Sequence, residues 1–237
     1  MPVISIKPEA IFHIFNFAVT NSLLLGWIVI ITTGFIALQY YKQSQLSNKS
    51  RFFYFIQFVV NSVYSLFESV AGTKINAFFP LLLAFFLYIL LQNWFGLLPG
   101  VGSILIDEVP LLRGNNADLN TTFALAIITV TMIQVYGVKF LGFGTYMKKY
   151  INLTNPINFF LGILEIISEI SKILSFSFRL FGNIFAGEVL LTIVAFLVPV
   201  LAAFPFLILE IFVGFIQALV FSMLSAVFFS GAVEAHH

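Results

Sequence analysis

From Ile157 to Val198 the chain runs for 42 residues, most of them apolar, without a proline. A continuous helix of that length is roughly 60 Å long at 1.5 Å per residue. The hydrocarbon core of a bilayer is only about 30 Å thick, so such a helix must tilt steeply, break, or run partly along the surface. Its middle is also charged. Residues 165–188 read EIISEISKILSFSFRLFGNIFAGE and set Glu165, Glu169, Lys172, Arg179, Asn183 and Glu188 in apolar surroundings. An Arg at a membrane-helix centre costs about 2.5–3.5 kcal/mol on insertion scales, and that cost implies a task. At roughly 100° per residue, with Arg179 at zero, Lys172 falls near +20°, Glu165 and Asn183 near +40°, Ser168 near −20° and Ser175 near −40°. These residues form one polar stripe; Glu169 sits at its margin near +80° and Glu188 stands alone on the opposite face.

The rest of the composition agrees with a membrane. Of 237 residues, 60% are hydrophobic and 9% charged, against about 25% charged in a soluble domain. A net charge of +1 points to no particular partner. With no Cys, disulfides and thiolate metal sites are excluded, and the three His (His13, His236, His237) lie near the termini, so no metal cluster and no cofactor are expected. The first apolar run is too long for a signal-peptide core and reads as a retained span.

In chain order the sequence predicts a single transmembrane domain over residues 1–237. A lead-in covers 1–16, spans cover 17–38, 77–97 and 121–141, a long tilted helix covers 157–198, and a last helix covers 206–231. Pro199 and Pro205 bracket the final turn. Residues 52–72 are apolar enough to cross, yet Gln57, Asn61, Ser65 and Glu68 recur on one face, as in a helix lying in the interface. Charge separates the two readings. If 52–72 lies in plane, Lys42, Lys49, Arg51, Lys139, Lys148 and Lys149 share one side, and Asp107, Glu108, Arg113 and Asp118 share the other, as the positive-inside rule favours. The expected architecture is therefore an all-α integral membrane protein with about five membrane-crossing helices, one interfacial amphipathic helix, and a long tilted hairpin at the end. No internal repeat and no soluble domain is visible. Trp94 suits an interfacial belt, and Pro99 with Gly100 an exit from the membrane.

Folding the last two helices about residue 202 makes a ladder of polar groups across the bilayer. Glu210 is outermost on the acidic-loop side, Glu188 and Gln217 follow at similar depth, and Asn183 and Arg179 lie deeper. Plainer roles exist for several of these groups. Glu165, Glu169 and Lys172 also suit snorkelling at a span end, Ser168 and Ser175 suit back-bonding to their own helix, and Asn183 and Gln217 suit interhelical hydrogen bonding. Arg179, Glu188 and Glu210 fit such roles least.

The string SFRLFGNIFAGE, with Gln217 in FIQALVF, NWFGLLPG at a span end and ADLNTT at a span entry, resembles subunit a of F-type ATP synthases. The resemblance covers most of the chain; the N-terminal 70 residues match only in layout. It implies a non-catalytic, proton-translocating stator subunit beside a rotating c-subunit ring and peripheral-stalk b subunits, in a bacterial plasma membrane, with the N-terminus outside and the C-terminus cytoplasmic. Arg179 stands at the position of the family's essential arginine, which faces the ring carboxylate. Asn183, Glu188, Gln217 and Asp118 match positions tied to the proton path, and Glu165 and Ser175 match positions on the cytoplasmic access side. Glu210 stands where several bacterial members carry His.

Those roles agree with elementary electrostatics. Arg stays protonated at any working pH, so a carboxylate beside Arg179 releases its proton; moving into lipid, it must first be neutralised. Two access routes separated by Arg179 would turn ion flow into rotation. The chain has no Walker-type glycine-rich loop and is not expected to bind ATP. A sodium-carrying version of the same subunit and an autonomous channel or secondary transporter are the alternative readings; transporters often show inverted repeats, and none is evident.

Overall fold

The computed structural model describes residues 8–15, 17–98, 100–102, 104–106, 109–151, 155–198 and 203–233. Asp107, Glu108, Pro99, Pro199, His236 and His237, named above, lie outside the described residues. Among the described residues seven α-helices follow in order: α1 (Asn21–Ser44), α2 (Arg51–Ala71), α3 (Ile75–Gly96), α4 (Leu119–Leu141), α5 (Phe143–Met147), α6 (Pro156–Leu197) and α7 (Ala203–Val233). Two short antiparallel ladders lie in the segments before α1 and α4: β1 (Ala10–Ile14) with β2 (Phe17–Thr20), and β3 (Leu105–Ile106) with β4 (Val109–Pro110). Among the described residues five helices, α1, α3, α4, α6 and α7, are long and apolar enough to cross a membrane.

Local chemistry sets where these helices start. Thr20 caps α1 by accepting from Leu23 N, so the strand residues 17–20, expected in the first span, precede the helix. At its other end α1 runs on through Gln39–Lys42, expected in a polar linker, to Ser44. Ser50 caps α2 in the same way. Pro156 opens α6 at the first helical position, where a missing N–H costs nothing. Pro205 lies in the first turn of α7 and not in the turn it was expected to bracket; that is the one stretch of helix where proline fits.

Contacts at the helix ends fix the topology. A Cβ on Gly26, near the start of α1, would lie 2.9 Å from Asn115 Nδ2 and 3.7 Å from Gln92 Nε2. The start of α1 therefore sits beside the end of α3. At the opposite end, Lys74 Nζ donates to Val233 O at 2.8 Å, Tyr136 OH donates to Ala77 O at 3.1 Å, and the Phe78 and Phe229 rings stack 5.4 Å apart. The starts of α3 and the ends of α4 and α7 thus share a side. Because α1 and α3 run in opposite directions, α2 leaves and returns on that same side and does not cross.

The surface of α2 fits an interfacial position. Phe53, Val63, Phe67 and Ala71 are buried against the protein. Measured from Phe67 at roughly 100° per residue, Asn61, Ser65 and Glu68 occupy one flank of this seam and are exposed. Phe52, Phe55 and Leu66 occupy the other and are exposed too. Three sectors, facing protein, water and lipid, are what a helix at the interface requires. Lys42, Lys139, Lys148 and Lys149 fall on its side of the molecule.

The core is an aromatic seam. Tyr136 meets the Phe78 and Phe229 rings edge-on, and Phe221 packs against Phe85 and Phe176. Lipid tails are as apolar as these rings, so close packing and not burial from water holds the helices together.

Candidate functional site

α6 is unbroken over 42 residues, or roughly 63 Å, so of the three options open to so long a helix, a break is excluded. Its back face packs between α4 and α7: Phe176, Ser177, Leu180, Ile184 and Gly187 are buried. Ser177 and Thr122 of α4 share a hydrogen bond at 3.2 Å. The front face, with Ser168, Ser175, Arg179 and Asn183, is exposed.

The α6–α7 register differs from the expected hairpin. Phe176 packs on Phe221 and Phe228, and Gly187 lies directly against the Glu210 carboxylate. Paired positions therefore sum to about 398, whereas a fold about residue 202 gives about 404. The shift of some six residues brings Glu210 to the depth of Glu188. It moves Gln217 away from Glu188, to the level between Arg179 and Asn183. Gln217 is half-buried and lies in the i, i+7, i+11 row with Leu224 and Phe228, which line the groove beneath Arg179.

Glu188 and Glu210 share a small cavity of about 10 Å³, which Gln92, Asn93, Gly114 and Ile184 also line. That volume suits one water. Glu188 is packed onto the backbone of Gly114, where a Cβ would overlap its carboxylate, and Glu188 Oε2 is 3.8 Å from Arg113 Nε. Glu210 is buried and rests on Gly187. Two glycines thus allow the two acids to approach, one across a loop and one across a helix pair.

A polar lattice frames the cavity. Asn93 Nδ2 donates to Gly214 O at 2.8 Å, Asn116 Nδ2 donates to Asn93 Oδ1 at 2.7 Å, and Trp94 Nε1 donates to Ile211 O at 3.1 Å. These bonds clamp the end of α3 to α7 in the turn that follows Glu210. Gln92 is fully buried, and neither its Nε2 nor its Oε1 makes a hydrogen bond of good geometry. Asp118 has a different task. It caps α4, accepting from Asn120 N at 2.9 Å, and accepts from Ser22 Oγ at 2.9 Å. It ties α1 to the turn that carries Gly114 and does not line the cavity.

On the other side of the molecule, an open groove of about 260 Å³ is lined by Ser168, Ser171, Lys172, Ser175, Arg179 and Phe228, among others. Arg179 Nη2 donates to Ser175 Oγ at 3.3 Å. No carboxylate lies within ion-pair reach of Arg179 among the described residues. Glu165 lies further toward the basic end, paired with Lys149 at 2.7 Å. Glu169 accepts from Lys172 Nζ at 2.8 Å and from Tyr150 OH at 3.4 Å.

Of the residues the sequence pointed to, Glu188 and Glu210 line the cavity, Ser175 and Arg179 line the groove, and Asn183, Gln217, Glu165 and Asp118 line neither. The structure adds Gln92, Asn93, Arg113, Gly114, Asn116 and Gly187. Gln92 and Asn93 were detectable as adjacent amides in an otherwise apolar span. The glycines were not, because their contacts come from distant segments.

These helices make an α-helical, multi-pass integral membrane protein with ionisable groups set at membrane depth. The family model described as ATP synthase A chain matches residues 22–230, and the chain belongs to that family. It is 35% identical to the ATP synthase subunit a of Syntrophobacter fumaroxidans over 184 residues, covering 77% of this chain and 72% of that protein. It is 31% identical to the protein of that name from Legionella pneumophila over 229 residues, covering 95% and 91%. It is 28% identical to the one from Moorella thermoacetica over 234 residues, covering 98% and 99%.

Proposed function

We propose that this chain, as one transmembrane domain, is the proton-conducting stator subunit of a rotary ATP synthase, with Arg179 facing the carboxylates of a c-subunit ring. The observation that carries the reading is the position of Arg179. It lies near the middle of a 42-residue helix, on an exposed face, and its partner among the described residues is a serine hydroxyl. A guanidinium facing lipid there is costly; a carboxylate arriving on a neighbouring subunit removes the cost.

The cavity of Glu188 and Glu210 is the entry route from the side of the 97–118 loop. Asp118 shapes its mouth by holding α1, the loop and α4 together. The groove of Ser168 and Ser175, ending near Glu165, is the route to the basic side. Asn183 and Gln217 flank Arg179 at the crossing level. A ring carboxylate gives up its proton beside Arg179 and must be reloaded before it re-enters lipid. The basic side is cytoplasmic by the positive-inside rule, so in a bacterial plasma membrane the N-terminus lies outside. The b subunits of a peripheral stalk hold the chain still while the ring turns.

The test is Arg179→Gln in membrane vesicles carrying the whole complex. ATP synthesis is expected to vanish and passive proton leak to rise. Synthesis near the parental rate would remove Arg179 from the centre of the mechanism and overturn the reading.

A further inference from the structure

Beside the groove lies an ion pair that the two-route scheme does not use. Lys172 sits in the same stripe as Arg179, seven residues and about 10 Å along the helix from it. Its ammonium reaches back to Glu169 Oε1 at 2.8 Å and lies 4.8 Å from the centre of the Phe228 ring. Both side chains of the pair are largely buried, 16% exposed for Lys172 and 12% for Glu169. Glu169 is held in turn by α5 and the segment after it. Tyr150 OH donates to Glu169 Oε1 at 3.4 Å and to Gln134 Oε1 of α4 at 2.8 Å, and Tyr146 OH donates to the same Gln134 oxygen at 2.7 Å. Burial pushes the Tyr150 hydroxyl above its ordinary range, reinforced by its neighbour Tyr146, so it remains a proton donor. A Cβ on Gly162 would overlap Tyr150 O, which fixes Tyr150 against α6.

We propose that Glu169 is a positioning residue that holds Lys172 at the groove wall, so that, among the described residues, the groove presents a single free cation, Arg179, to the ring carboxylate. The inference rests on the reading of Arg179 given above. Without Glu169 the ammonium is free to turn into the groove. The ionised carboxylate then meets two positive charges and leaves the groove less readily. A second unit charge at about 10 Å, at an effective dielectric near 20, slows that step roughly tenfold.

The experiment compares Glu169→Gln with the double variant Glu169→Gln/Lys172→Gln in vesicles carrying the whole complex, with rates normalised to the amount of assembled complex. The single variant is expected to lose ATP synthesis about tenfold. The double variant, which also removes the loose ammonium, is expected to recover to within about threefold of the parent. A merely structural carboxylate would not be rescued by removing its partner. Parental synthesis in E169Q overturns the inference, and so does a double variant no better than the single. If E169Q fails to assemble, the double decides in the same way: assembly with activity sustains the inference and failure overturns it. Arg179→Gln is measured alongside. If it retains synthesis, the reading of Arg179 has failed; if it abolishes synthesis while E169Q is neutral, only the role of Glu169 has failed.

Discussion

Gly187→Ala adds one methyl group where α6 faces Glu210 of α7, and a Cβ there would overlap the Glu210 carboxylate. Two energies oppose each other. Alanine is favoured over glycine in a helix by about 1 kcal/mol, while overpacking a tight contact costs about 1–3 kcal/mol. The net loss of stability is therefore about 0–2 kcal/mol, small enough for the complex to assemble. The functional loss is larger, because the group that must yield is Glu210 itself. It is 7% exposed, and the Trp94–Ile211 and Asn93–Gly214 bonds clamp the turn of α7 that follows it to α3. Displacing it takes one of the two acids out of the shared cavity. ATP synthesis in vesicles is expected to fall at least tenfold, with the complex still recovered in normal amount. Glu210→Asp in the same background shortens the side chain by one methylene and is expected to restore part of the rate. Gly231→Ala on α7, where an added Cβ meets nothing within 4 Å, is the matched control and is expected to be silent. Unaltered synthesis in G187A would refute the view that α6 and α7 meet in this register with Glu210 seated over Gly187.

Asp118→Ala removes the cap of α4 and the acceptor for Ser22, and thermal unfolding of the detergent-solubilised protein is expected to show a loss of about 0.5–2 kcal/mol or more. Burial pushes the Tyr146 hydroxyl up, so the folded state holds a proton that the unfolded chain releases near pH 10. The corresponding stability is complete below about pH 10 and is lost as pH rises further; melting curves at pH 9 and pH 11 should separate for the parent, and separate less for Tyr146→Phe, in which the raised Tyr150 hydroxyl remains. The chain has no cysteine, so single-cysteine variants can be labelled cleanly. Asn61→Cys and Glu68→Cys are both expected to react with a membrane-impermeant thiol reagent from the side that labels Lys148→Cys, and labelling from opposite sides would mean that α2 crosses.

The architecture was legible because the bilayer imposes a length and a polarity on every crossing segment. Runs of apolar residues gave five crossings, and charge asymmetry placed 52–72 in plane. The ends of the helices were less legible, since they depend on single capping residues such as Thr20 and on whether an aromatic, polar stretch such as Gln39–Lys42 continues a helix. The α6–α7 register was not legible at all. It is set by Gly187 against Glu210 and by Phe176 between Phe221 and Phe228, contacts between residues 23 to 52 positions apart in a chain where nearly every alternative register is also apolar. The six-residue error carried directly into the site: it paired Glu188 with Gln217, where the fold pairs it with Glu210. Asp118 illustrates a second limit. An acid at a helix start reads equally as a cap or as a proton carrier, and only its bonds to Asn120 and Ser22 reveal how it is engaged.

The two polar clusters lie on opposite faces of one helix, and this bears on leakage. Arg179 and Glu188 are nine residues apart, or about 13 Å along α6, and about 180° apart around it. Between them on the packed side stand Leu180 at 1% and Ile184 at 8% exposure, with α4 and α7 closing over both. A proton reaching the Glu188–Glu210 cavity therefore meets packed hydrocarbon in the direction of the groove. The exposed face is left as the way across, and in the proposed assembly that face belongs to the ring. On this arrangement tight coupling depends on two separate barriers, an apolar one behind α6 and an electrostatic one at Arg179 in front. Leu180→Ser weakens the first without touching the guanidinium. It should raise passive proton leak while ATP hydrolysis by the complex continues, whereas Arg179→Gln should stop coupled turnover outright. If L180S vesicles leaked no faster than the parent, the seal would have to lie elsewhere, and the back-to-back placement of the two clusters would lose its significance.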